Sequence, residues 1–195
     1  MKNYIAFGFV LATICGLFIA TACRQQPQSR QYEENGATAA LPAQAAPQET
    51  AWHWAMPSKW RKEGSSGLRL ATFFIVDPEG TGQCTLIPLT GDGGGVQANV
   101  QRWLDQLHLP RFSQPEMADF LTIQKKVRTG SGLPVTIIDF TPLNNPQERS
   151  GTSLLVAVIT GKNETLFVKM SGGKVLLKKN REVFSKFCLS LSPGA

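Results

Sequence analysis

The C-terminal third of the chain contains six consecutive apolar residues, Leu154-Leu155-Val156-Ala157-Val158-Ile159. A strand that is apolar at every position has no face for water, so this run predicts a central strand covered on both sides. The polar turn 161–164 then leads into another strand over 165–170. Together they predict a hairpin at the centre of a sheet.

Further strands are predicted upstream of this hairpin from their β-branched and aromatic content, at residues 68–76, 83–89, 122–127 and 133–140. Only Asp77-Pro78-Glu79-Gly80 and a few following residues separate the first two, which should therefore form a hairpin of their own. Pro88 lacks an N–H group, so it predicts a bulge or an edge position near the end of its strand.

Helical periodicity appears in two longer segments and one short one. A helix that begins after Gly95 and ends before Pro110 has one apolar stripe, made of Val96, Val100, Trp103, Leu104 and Leu107. Residues 115–120 predict a single helical turn. The closing helix, at about 174–190, should bury Leu176, Val183, Phe184, Phe187, Cys188 and Leu191. The fold class predicted is α+β, a largely antiparallel sheet covered by helices.

The first 22 residues have the layout of a secretory signal. Lys2 precedes an apolar stretch without charge or proline, which closes with small residues before Cys23. This arrangement resembles the lipobox of bacterial lipoproteins, which implies cleavage before Cys23 and a lipid, such as palmitate, on that cysteine. The alternative is an uncleaved signal anchor, because about 20 apolar residues span a bilayer core. Both alternatives place the rest of the chain outside the cytosol, moored to the membrane.

Residues 23–50 are rich in Gln, Ala and Pro, which predicts a flexible tether. Arg24 stands where an aspartate favours inner-membrane retention in lipoproteins of Gram-negative bacteria. The resemblance therefore favours the outer membrane, facing the periplasm. Residues 51–195 remain for a single α+β domain.

The chain carries a formal net charge of +6, and its densest basic group comprises Lys174, Lys178, Lys179, Arg181 and Lys186. Aromatic residues are not placed beside these cations to stack on bases, so no nucleic-acid partner is predicted. We interpret the group as a solvated helix face, with weak attraction to anionic lipid or wall polymer as the alternative.

Cys84 and Cys188 are the cysteines of the predicted domain, and in an oxidising compartment they form a possible disulfide. The alternative is two separate buried thiols. Their spacing is not that of a metal site, and neither a metal nor a cofactor is predicted.

The sharpest candidate for a ligand site is the glycine segment before the first helix, Gly91-Asp92-Gly93-Gly94-Gly95. Convergent N–H groups at a helix start would accept an anion. The segment matches no nucleotide-binding motif, and the alternative is a tight strand-to-helix crossing that requires glycine. Asn99 and Arg102 share a face of the helix, where they would contact a partner or tie down the glycine segment.

Catalytic residues are not evident in the sequence. The histidines, His53 and His108, have no nearby nucleophile in a strained-turn motif. The tryptophans Trp52, Trp54 and Trp60 are interpreted as closing the edge of a core, with stacking on sugar rings as the alternative.

Several features resemble a group of uncharacterised bacterial exported proteins. They are the closing amphipathic helix and the strings Trp54-x-x-Pro57-x-x-Trp60, Arg69-x-Ala71-Thr72-Phe73, Gly91-Asp92-Gly93-Gly94, Ala98-Asn99-Val100-x-Arg102-Trp103 and Phe167-Val168-Lys169-Met170-Ser171-Gly172. Over residues 52–190, the order of elements resembles the PsbP-like sandwich of photosystem II extrinsic subunits. The resemblance implies a fold with binding and assembly roles, without implying an enzymatic activity.

The function predicted is that of a membrane-anchored lipoprotein of the cell envelope, acting as a non-catalytic binding or assembly module with an envelope protein as partner. The alternatives are an envelope hydrolase acting on wall polymer or lipid, and a receptor for a small ligand or anion. The oligomeric state is left open.

Overall fold

A computed structural model describes residues 52–65, 67–144 and 151–194. The predicted signal peptide, Cys23 and the tether lie outside the described residues, and what the sequence predicts for them stays a prediction.

The described residues form nine strands and three helices. The strands are β1 (Trp52–His53), β2 (Trp60–Glu63), β3 (Ala71–Asp77), β4 (Gly80–Thr90), β5 (Lys125–Arg128), β6 (Pro134–Asp139), β7 (Thr152–Thr160), β8 (Glu164–Gly173) and β9 (Ser192–Pro193). The helices are α1 (Val96–Gln106), α2 (Gln114–Thr122) and α3 (Lys174–Ser190).

Seven strands form one sheet in the order β2-β3-β4-β8-β7-β6-β5, and every neighbouring pair is antiparallel. The predicted central hairpin is β7–β8, with Ile159 opposite Leu166. The predicted first hairpin is β3–β4, in which Phe73 lies opposite Cys84. Separately, β1 pairs with β9, which brings the two ends of the domain together.

Helices cover both faces of the sheet. On one face, α3 contributes Phe184 and Phe187 to a core that also contains Leu155 and Leu166. On the other face, α1 and α2 pack against the alternate residues of the same strands, including Val156. Successive side chains of a strand point to opposite faces, so β7 is buried along almost its whole length. The predicted α+β fold, an antiparallel sheet covered by helices, is confirmed.

The structure corrects three local predictions. The single turn expected at 115–120 is a nine-residue helix, because Ser113 and Glu116 form a capping box that starts it early. This longer helix takes Thr122, so β5 begins at Lys125 and not at residue 122. Val183 is 38% exposed and does not belong to the buried stripe of α3.

Pro88 lies near the end of β4, where it pairs with Leu166 of β8. The ladder between β3 and β4 begins at Ala71, opposite Leu86, so Pro88 lies beyond the end of that ladder.

Candidate functional site

The glycine segment predicted as a ligand site connects β4 to α1. Four of its five residues have a positive φ, at 64°, 63°, 86° and 78° for Gly91, Gly93, Gly94 and Gly95. This left-handed backbone is open to glycine at little cost. A Cβ on Gly93 would also lie 2.8 Å from the Cζ of Phe167 and closer still to its Cε2.

The same four residues donate their N–H groups to oxygens of the chain itself. The bonds run from Gly91 to the carbonyl of Asn163 (2.9 Å), from Gly93 to the carbonyl of Thr90 (3.4 Å), from Gly94 to Oδ1 of Asp92 (2.9 Å), and from Gly95 to the carbonyl of Asp92 (3.3 Å). An anion would have to compete with these internal acceptors. The geometry therefore favours the tight crossing over the anion site.

Asn99 holds the glycine segment from the first turns of α1. Its Nδ2 donates to the carbonyls of Gly93 at 3.0 Å and Gly95 at 2.7 Å. Arg102 donates from Nη2 to Oδ1 of Asn99 at 2.9 Å, which orients the amide. Two of the predicted site residues thus lie together with the glycines, and they tie down the segment. A ligand at this place stays a prediction.

The tryptophans near the start of the domain pack into the core edge. Trp60 is buried with its ring centre 4.9 Å from that of Phe187, and Trp54 makes an edge-on contact with Phe73 at 5.7 Å. Trp52 is buried as well, and its Nε1 donates to Glu164 at 3.0 Å. Rings held in this way leave little flat surface for a sugar, as the core interpretation expects.

Cys84 and Cys188 are free thiols in the structure, so the possible disulfide is not formed there. Both are fully buried in the core that α3 covers. Burial raises the pKa of each thiol far above its ordinary value, and the proximity of Cys84 raises that of Cys188 further. The two side chains are therefore neutral apolar groups of one core, which is the alternative that the sequence left open.

The histidines are exposed and stand apart in the chain, His53 in β1 and His108 just after α1. Within the described ranges, no group of three or more His, Cys, Asp or Glu residues is arranged to hold a metal ion. Within the same ranges, no helix combines the length and hydropathy needed to cross a membrane.

A cleft of about 250 Å³ opens between α3 and the β5 side of the sheet, and the sequence did not point to it. Its floor is apolar, with Ile137, Leu155 and Phe184. Its rim carries two cations, Lys125 and Arg181, and two carboxylates, Asp139 and Glu182. We call these seven residues and the space between them the edge cleft. An apolar floor with a few convergent polar groups is the usual composition of a binding site.

Hydrogen bonds and one ion pair hold the rim of the edge cleft. Arg181 Nη2 lies 2.7 Å from Oδ2 of Asp139 and donates to Oγ1 of Thr141 at 2.6 Å. Lys125 Nζ donates to Oγ of Ser185 at 3.1 Å. The guanidinium and the ammonium are thereby placed on two sides of the same opening. Each has further N–H groups with which a ligand can bond.

Ile123 lies at the mouth of the edge cleft and is 80% exposed. It directly follows α2, where Gln124 receives the N–H of Asp139 on its Oε1 at 3.0 Å. That bond holds the end of α2 against β6. The mouth of the cleft therefore carries the apolar side chain of Ile123, whose backbone is held in place by the neighbouring Gln124.

Local sequence patterns contain little that would have revealed this cleft. Arg181 and Ser185 are four residues apart on α3, which places them on one side of the helix. Their partners come from other elements, 40 residues away for Thr141 and 60 residues away for Lys125. Such a cluster arises only when the sheet and the helix pack together.

No protein-family model matches the chain, and no curated protein is similar to it in sequence. Similar solved structures include the solution structure of the cyanobacterial PsbP protein of Synechocystis, with 11% identity, a TM-score of 0.46, and coverage of 75% of this chain and 89% of that one. They also include a crystal structure from Bacteroides thetaiotaomicron, with 12% identity and a TM-score of 0.41, which covers 74% of this chain.

The chain spans only 45% of the Bacteroides protein. A PsbP structure is the kind of neighbour that the sequence resemblance predicted. At this identity the likeness concerns the fold alone, and it does not bear on what this chain binds.

Proposed function

We propose that the chain is an exported, lipid-anchored protein of the cell envelope, and that its domain is a non-catalytic binding module which receives a partner at the edge cleft. The observation that carries the proposal is the composition of that cleft, an apolar floor beneath a guanidinium and an ammonium fixed by neighbouring side chains. Such a site gains binding free energy from burial of apolar surface and specificity from its polar rim.

Binding suits the rim better than catalysis. Asp139, one of the two carboxylates of the rim, is held by Arg181 at 2.7 Å. Its Oδ1 accepts the N–H of Thr141 at 2.8 Å, so both oxygens of this carboxylate are engaged within the fold. The arrangement is therefore one for holding a polar group in place.

The N-terminal residues support the location in the envelope. A lipid on Cys23 would moor the chain, and a random-coil tether of about 27 residues has an r.m.s. reach of about 30 Å. The domain could then meet partners near the membrane surface without leaving it. In a Gram-negative cell, Arg24 favours the outer membrane, with the domain in the periplasm.

Site-specific photo-crosslinking in intact cells tests the binding site. A photoreactive residue at Ile123 lies at the mouth of the cleft, and the control position is Leu68, which is 77% exposed and precedes β3 near the far side of the sheet. We expect a discrete crosslinked partner from position 123 that is weak or missing from position 68. Equal products from both positions, or none from position 123, would contradict the proposed site.

A further inference from the structure

The strand β5 forms one edge of the sheet, and among the described residues no strand pairs with its outer side. Thr129 donates its N–H to the carbonyl of Leu133 at 2.9 Å, in register with the β5–β6 ladder. Bonding alternates along an antiparallel pair, so Lys125 and Val127 bond to β6. The N–H and C=O groups of Lys126 and Arg128 therefore point away from the sheet.

Pro134 supports this assignment. It lies opposite Arg128 in the ladder and has no N–H to donate. A proline is tolerated at such a pair only where the two residues do not exchange hydrogen bonds. The outward direction of the Arg128 backbone follows independently from this pairing.

Side chains alternate along β5 as the backbone groups do. Lys125 reaches Ser185 of α3, and Val127 packs against the core that α3 covers. Lys126 and Arg128 consequently lie on the opposite face of the sheet, where both are exposed. The strand therefore carries positive charge on both faces, and none of its four residues is acidic.

We infer that this edge is the docking site of an extended, acidic segment of a partner protein, which adds a strand to β5. The inference rests on the proposed function and names its class of partner. The segment bonds its backbone to Lys126 and Arg128, and its carboxylates lie near the cations of β5. Those side chains of the partner segment that lie on the α3 side of the sheet are next to the edge cleft. The apolar floor of the cleft favours an apolar residue at that position of the segment.

Charge distinguishes this partner from a second copy of the chain. Two copies of β5 paired edge to edge would bring like charges opposite each other, which is destabilising in a sheet. The other edge strand, β2, is a weaker candidate. Its Glu63 offsets part of the positive charge, and its Lys62 Nζ already lies 5.1 Å from the centre of the Trp54 ring.

A labelled synthetic peptide of about eight alternating glutamate and valine residues tests the inference by fluorescence anisotropy. We expect saturable binding to the domain that weakens as salt is raised, because the contacts are solvent-exposed charge pairs. The double substitution Lys126→Glu with Arg128→Glu should weaken binding by about tenfold or more.

The control variant, Lys162→Glu with Lys178→Glu, changes the net charge by the same amount at exposed residues of the β7–β8 turn and of α3. It should bind the peptide nearly as well as the unchanged domain. A second peptide, methylated on the backbone nitrogens of one edge, should lose binding because it cannot add to the sheet.

Three results would overturn the inference. They are equal weakening by both double variants, undiminished binding of the methylated peptide, and a shift to dimers through β5 without peptide binding. The proposed function would survive any of these if crosslinking from position 123 still captured a discrete partner. Loss of that crosslink with intact peptide binding would instead contradict the cleft as the site used in cells.

Discussion

At the scale of single residues, the glycine segment shows why a pattern typical of ligand binding can serve folding instead. Gly93 combines a positive φ of 63° with direct packing under the ring of Phe167. Phe167 belongs to the core beneath α1, where its ring centre lies 5.9 Å from that of Trp103. Glycine is required at position 93 because a Cβ there would overlap the ring of Phe167.

Comparison of Gly93→Ala with Gly91→Ala separates the cost of a positive φ from the cost of steric overlap with Phe167. Gly91→Ala is the matched control, because Gly91 has nearly the same φ, 64°, with no atom within 4 Å of the added Cβ. We expect Gly91→Ala to lower the free energy of unfolding by about 1–2 kcal/mol, and Gly93→Ala by about 1–3 kcal/mol more. Urea denaturation measures both. Equal losses would contradict the packing role assigned to Gly93.

The sequence predicted what glycine, asparagine and arginine do here only as alternatives. Helical spacing placed Asn99 and Arg102 on one face, and the structure has them hydrogen-bonded at 2.9 Å. The sequence did not reveal that the glycine N–H groups have internal acceptors, because one acceptor, Asn163, comes from the β7–β8 turn. Contacts between residues so far apart in the chain form only when the sheet is assembled.

At the scale of elements, α3 is joined to the first hairpin by two ion pairs at the β3–β4 turn. Lys179 Nζ lies 2.8 Å from Oδ1 of Asp77 and 2.8 Å from Oε2 of Glu79. Hydrogen bonding with Glu79, and then with Lys179, lowers the pKa of Asp77 from 3.8 to about 2. The charged carboxylate therefore favours the folded state.

The pKa of Asp77 predicts how stability depends on acid. A carboxyl whose pKa is lower in the folded state stabilises the fold above its unfolded pKa, and that stability is lost as the pH falls through the folded pKa. For Asp77 the window is about pH 4 down to about pH 2. Asp77→Asn should make the free energy of unfolding fall less steeply across this window. An identical pH profile for the variant and the unchanged protein would contradict the assigned pairing.

Most elements could be predicted from periodicity and composition, because each has a clear apolar pattern. The helix α3 has the predicted bounds, and β7 is the doubly covered strand. Val183 was misplaced because it lies close to the buried stripe in a helical projection. In the structure it falls between the exposed Lys179 and Lys186, at the edge of that stripe.

At the scale of the whole molecule, the proposed function places the binding site of a tethered domain at one edge of its sheet. The fold could be predicted from the sequence, whereas the edge cleft could not. Its rim brings together Lys125, Asp139 and Arg181, which come from β5, β6 and α3. Each of these charges taken alone is typical of a solvated surface.

Labelling with radioactive palmitate tests the anchor. Cys23→Ser should abolish incorporation, because the acylated sulfur is then missing. Cys15→Ser is the matched control within the apolar leader and should keep the label. Labelled Cys23→Ser protein, or unchanged protein that stays membrane-bound without label, would contradict lipidation at Cys23.

Amide hydrogen exchange along β5 tests whether the domain receives an extended partner at this edge. With the glutamate–valine peptide bound, exchange at Lys126 and Arg128 should slow markedly. Lys125 and Val127, already bonded to β6, should change little. Unchanged exchange at Lys126 and Arg128 under saturating peptide, or protection confined to β2, would contradict the claim.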